Sequence, residues 1–210
     1  MHINKATYLI SSPDLEKCPA ADRPEYAFIG RSNVGKSSLI NMLTQHQKLA
    51  KTSGTPGKTQ MINHFSISSS EEAGGKASDW YLVDLPGYGF AKVSQSQRKQ
   101  WHAMIENYLR GRKNLVMVFV LIDSRHAPQE IDRRFVDQLG EWEIPFSLVF
   151  TKADKENQSI VAKNVKSFLA DMRNTWEFLP AHVVTSAVKT QGRQKLLKMI
   201  GEMNADFYAA

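Results

Sequence analysis

One cysteine, Cys18, stands in 210 residues. Its isolation excludes an intramolecular disulfide and any multi-cysteine zinc or iron–sulfur centre. No apolar run exceeds Leu115–Ile122, far short of the roughly 20 residues that cross a bilayer, so no membrane span is expected. The start, Met1-His2-Ile3-Asn4-Lys5, has no long apolar stretch to read as a secretory signal. A cytoplasmic protein is the resulting expectation. Internal repeats and long linkers are also missing. With 42% hydrophobic and 23% charged residues the chain is neither disordered nor fibrous. Its length suits one domain with a full core and no staples. An acidic surplus is absent too, since Lys+Arg 27 less Asp+Glu 21 leaves +6. That balance suits a polyanionic partner such as RNA, and equally an ordinary soluble surface.

What is present is an alternation of short apolar runs and amphipathic stretches. Residues 1–24 form a mixed lead-in with a turn signal at Ser11-Ser12-Pro13-Asp14. Tyr26–Ile29, Trp80–Val83, Leu115–Ile122, Phe146–Phe150 and His182–Thr185 read as strands, and Ile62–Ser68 as one more. Ser37–Leu43, Gln97–Leu109, a segment opened by Pro128 at its first position, Asp154–Arg173 and Thr190–Phe207 read as helices. The order predicts an α/β fold with a mixed, mostly parallel six-stranded sheet and helices on both faces. Ile62–Ser68 is its antiparallel edge, and residues 25–210 are the domain.

Four motifs fall at strand ends. Gly30-Arg31-Ser32-Asn33-Val34-Gly35-Lys36-Ser37 fits G-x-x-x-x-G-K-S/T between a strand and a helix. Phosphates need many donors at close range, which a glycine-rich turn and a helix N-terminus supply together. Lys36 would reach the β- and γ-phosphates, and Ser37 would offer its hydroxyl to Mg²⁺. Asp84-Leu85-Pro86-Gly87 ends another strand. There Asp84 would hold Mg²⁺ through a water, and Gly87 would present its N–H to the γ-phosphate. Thr151-Lys152-Ala153-Asp154 places a carboxylate where it would accept from guanine N1–H and the 2-amino group, or else cap a helix. Thr185-Ser186-Ala187, with small side chains, would let a backbone N–H reach the base.

In this order and spacing the four motifs resemble those of P-loop, Ras-like GTPases, over nearly the whole chain. More narrowly, Gly30–Ser38, Gly57-Lys58-Thr59-Gln60 and the Asp84–Gly89 segment resemble the EngB/YihA/YsxC family of the TrmE–Era–EngA–EngB branch, as do Asp123–Pro128 and Phe150–Lys155. The resemblance implies a monomeric Mg²⁺-dependent GTPase that acts as a switch in large-subunit ribosome assembly, with its subunit or RNA as partner, and that is needed for cell division and septation. It also implies that Thr59, in a switch loop running through Gly57, Lys58, Gln60 and Met61, is a second Mg²⁺ ligand.

Three departures bear on rate and affinity. Tyr88 stands where Ras-like proteins carry the water-orienting Gln, so slow intrinsic hydrolysis is expected. Asn33 resembles a K⁺ ligand of the wider branch, or simply suits a left-handed turn. Thr151 replaces the usual Asn, and Val188 the usual base-stacking Lys. Arg110, Arg112, Lys113, Arg133 and Arg134 are expected on the surface, with RNA as one use for them. Trp101, Met104, Ile105, Tyr108 and Leu109 make a helical core stripe. Two alternatives stay open: an ATP-using P-loop kinase, against which Asp154 speaks, and an RNA-binding module in which hydrolysis is minor.

Overall fold

A computed structural model describes residues 1–50, 61–72, 75–89 and 94–209. Its elements run β1 (His2–Ser12), β2 (Glu25–Gly30), α1 (Lys36–Thr44), β3 (Ile62–Ser70), β4 (Ala77–Asp84), α2 (Gln95–Gly111), β5 (Leu115–Asp123), α3 (Glu130–Glu141), β6 (Phe146–Thr151), α4 (Gln158–Met172), β7 (His182–Val184) and α5 (Arg193–Ala209). The sheet is seven-stranded in the order β1-β3-β4-β2-β5-β6-β7. Strands β4, β2, β5, β6 and β7 are parallel; β3 and β1 join antiparallel.

Central strands buried on both faces read as continuous apolar runs. In β2 Tyr26 and Phe28 face the α1/α5 side, with Leu39, Leu43, Leu196 and Ile200. Ala27 and Ile29 face the α2/α3/α4 side, with Ile105, Leu139 and Phe168. β5 divides in the same way, Phe119 and Leu121 against Val118, Val120 and Ile122. Ile105, Tyr108 and Leu109 of the α2 stripe are buried as expected.

The seventh strand corrects the expected six. Residues 2–12 pair with β3 and take the edge that Ile62–Ser68 was expected to hold. Register shifts at Ile3/Lys5 and Tyr8/Ile10 break the two-residue alternation by which a strand is read, and most of its side chains stay exposed. Three helix starts also move. Gln129, just after Pro128, keeps an extended backbone, so α3 begins at Glu130. Asp154 does not open a helix, since Asn157 precedes α4. Thr190 and Gly192 hold positive φ of 54° and 80°, which delays α5 to Arg193.

Because β2 has β4 on one side and β5 on the other, the chain changes direction at its carboxyl end. Such a point opens a ligand crevice in α/β sheets. Gly30, Asp84, Asp123, Thr151 and Val184, the last residues of the parallel strands, line that crest.

Candidate functional site

The crest is built first by the turn after β2. Val34 N–H donates to the Arg31 carbonyl at 3.2 Å, closing the loop. Asn33 (φ 62°) and Gly35 (φ 101°) adopt left-handed backbone, which Asn tolerates and Gly takes without steric cost. Gly35 is the N-cap of α1 and has no side chain to bond the helix's first amides. Those donors and the helix dipole are thereby available to an anion. Val34 is buried; Arg31 and Ser37 are half-buried; Ser32, Asn33 and Ser38 are exposed.

β4 delivers the second group. Lys36 Nζ donates to the Asp84 carboxylate, and to the Leu85 carbonyl at 2.6 Å. Leu85 N–H continues the sheet by bonding the Phe28 carbonyl at 3.0 Å. Leu85, Pro86 and Gly87 are buried, and Gly87 lies against the phosphate loop. A Cβ on Gly87 would lie 2.5 Å from the Gly30 carbonyl oxygen and 3.5 Å from Ser32 N, so only glycine fits. Ser37 and Asp84 are oxygen donors of the kind Mg²⁺ takes. Among the described residues no cluster of three or more His, Cys, Asp or Glu would hold a metal. A divalent ion on this crest would complete its shell from phosphate and water. Gly57, Lys58, Thr59 and Gln60 lie outside the described residues. Met61, just before β3, is exposed.

The far end is tied to the near one. Thr151 is buried, and its Oγ1 donates to the Val34 carbonyl at 2.6 Å. The short Thr side chain thus bonds the phosphate loop directly. Lys152, at φ 61°, lays its stem beside Gly35 and donates from Nζ to the Asn33 carbonyl and, at 2.9 Å, to Asp123 Oδ2. Burial pushes the Asp123 pKa up, but bonds from Arg125 and Lys152 more than offset this and bring it to about 2. Ala153 N–H bonds the Thr185 carbonyl at 3.1 Å. Ser186 Oγ donates to Asp154 Oδ1 at 2.6 Å, which lowers that carboxyl's pKa and keeps it charged. Thr185 and Ser186 are buried, and Ala187 is half-buried.

The sequence reading missed Asp132. This carboxylate has no exposed surface, yet it accepts from Arg31 Nε at 3.0 Å and from the Tyr88 hydroxyl at 2.9 Å. Its signal was legible, for it shares the helical face of Phe135, Val136 and Leu139, where a charge has to be paired. Arg112 corrects an expectation. It is buried, and its guanidinium grips Glu25 with Nε and Nη2 at 2.8–3.1 Å, so it is not open to RNA. Burial pushes the Cys18 thiol up to about 11, which keeps it protonated at neutral pH.

Residues 25–152 match the family described as 50S ribosome-binding GTPase. The chain is 52% identical to the probable GTP-binding protein EngB of Flavobacterium psychrophilum, over 99% of this chain and 98% of that one. The Bacteroides fragilis protein of the same name is 50% identical, over 98% of both chains. Among solved structures, a probable GTP-binding protein EngB superposes with a TM-score of 0.60 at 24% identity, over 87% of this chain and 99% of that one. Era in complex with MgGDPNP and part of 16S ribosomal RNA superposes with 0.65 at 23% identity, over 84% and 55%.

Proposed function

The chain belongs to the EngB family of GTP-binding proteins, and from that premise we propose that this GTPase is a switch whose nucleotide state governs its association with the large ribosomal subunit. It binds and hydrolyses GTP. The observation that carries the site assignment is the joining of the Asp154 loop to the phosphate loop. It holds the Asp154 carboxylate at a fixed span from Lys36 and the α1 amides, which supports its reading as the guanine acceptor.

In this reading the amides of residues 30–38 and Lys36 hold the phosphates and stabilise charge as the γ-phosphoryl group leaves. Asp84 and Gly87 respond to the γ-phosphate. Thr151–Asp154 and Thr185–Ala187 enclose the base. Ser37, Thr59 and Asp84 are the oxygen donors for Mg²⁺, which when bound supplies positive charge against the phosphates. Tyr88 supports slow intrinsic turnover: its hydroxyl is committed to Asp132 and its ring to Phe135, so it does not orient water. Asn33 would then serve K⁺ as an activating cation. A ribosomal partner would place a monomeric protein in the cytoplasm and link it to division through growth. Exposed Arg110, Lys113 and Arg134 are available for phosphate contacts.

Co-sedimentation with ribosomal subunits tests the switch. Association with the large subunit is expected with a non-hydrolysable GTP analogue, weaker with GDP, and falling steeply with salt. Absence of binding in both states would remove the ribosome from the reading while leaving the GTPase intact.

A further inference from the structure

Asp132 lies in the first turn of α3, a helix that carries none of the nucleotide motifs. A carboxylate with no exposed surface is costly to bury unless it is paired. Here one oxygen, Oδ1, serves two donors. Arg31 belongs to the phosphate loop, and Tyr88 follows the glycine that rests on that loop. Oδ2 has no hydrogen-bond partner among the described residues. The Tyr88 ring stacks on Phe135 with centroids 4.3 Å apart and planes 19° from parallel. Stacking fixes the plane of the ring but lets it slide; the hydroxyl bond stops the slide.

We propose that Asp132 is a positioning residue for the γ-phosphate: by holding Arg31 and Tyr88 at one oxygen it keeps Gly87 seated on the phosphate loop. The phosphate loop and residues 84–88 are then tied to the same buried charge. They cannot part without leaving that charge with fewer partners, which the protein interior penalises. The seat matters only to a nucleotide with a third phosphate. Asp132 therefore sets the preference for GTP over GDP and contributes little to affinity for GDP. This inference rests on the reading that Gly87 engages the γ-phosphate.

Calorimetric titration of the full chain with GDP and with a non-hydrolysable GTP analogue, in Mg²⁺, tests both. Tyr88→Phe keeps the stacked ring and removes only the hydroxyl. It is expected to weaken the analogue about fivefold, the worth of one hydrogen bond, with GDP affinity unchanged. Asp132→Ala weakens the analogue more, and Asp132→Asn, which keeps an acceptor oxygen, restores part of the loss. Equal losses for both nucleotides would mark a structural role and overturn the proposal. So would an unchanged ratio in Tyr88→Phe and Asp132→Ala when Gly87→Ala does change it. A ratio unchanged even in Gly87→Ala would instead overturn the Gly87 reading, and the proposal with it.

Discussion

In the proposed reading, Asp154 is a single side chain that acquires selectivity from its neighbours. Ser186 holds it in place and keeps it charged, and a charged carboxylate accepts from guanine where adenine offers no matching pair of donors. Asp154→Asn places an N–H against those donors. We expect GTP affinity to fall about 100-fold and xanthosine nucleotides to be preferred, because a site built on hydrogen bonds rejects a mismatched partner strongly. Competition binding checks this, and retained GTP preference would move base reading elsewhere. Asn33 poses a finer question. Its left-handed φ of 62° is by itself enough reason for an Asn. If it also serves a cation, hydrolysis will run several-fold faster in KCl than in NaCl at equal ionic strength; equal rates would leave it a turn residue. The phosphate-loop residues were legible because their chemistry is contiguous in sequence. The pairings of Asp132 and Asp154 were not, because their partners lie far along the chain: Arg31 and Tyr88 for the one, Ser186 for the other.

Elements are pinned at the end of the sheet away from the nucleotide by a different charge. Glu25, at the start of β2, receives Arg112 from the end of α2, Asn114 at 3.4 Å and the Tyr108 hydroxyl. His64 of β3 lies 3.4 Å from the same carboxylate. Burial raises the Glu25 pKa, but His64 and Arg112 together hold it below its ordinary value. Arg112→Met leaves Glu25 buried with its main partner gone, and should cost about 3 kcal/mol. At ~3.3 Å per residue the cluster lies about 16 Å along β2 from Gly30, so GDP affinity of the folded variant should not change. Urea unfolding beside nucleotide titration separates the two effects; a loss below 1 kcal/mol would mean that solvent reaches the pair. Nothing in the sequence pattern marks this cluster, because Glu25 and Arg112 meet only once β2 and α2 are packed. Helix existence was legible from apolar spacing, whereas helix starts depended on φ at Gln129, Thr190 and Gly192, which that spacing does not report.

For the molecule as a whole, the alternation of apolar runs and amphipathic stretches was enough to predict a mostly parallel sheet clothed on both sides. It missed β1, whose bulged and largely exposed backbone carries little of the hydrophobic pattern that reveals a strand. Family membership was legible as well, because four short motifs in fixed order constrain more than any one of them. The hydrogen bond from Thr151 to Val34 has a further consequence. It joins the Asp154 loop to the phosphate loop, so in the proposed reading the guanine end is a grip of constant shape for both nucleotides. Binding energy from that grip is common to GDP and GTP and cancels when the two are compared. Whatever signal the protein sends on hydrolysis has to originate at the other end, in the few residues that touch the phosphate which leaves.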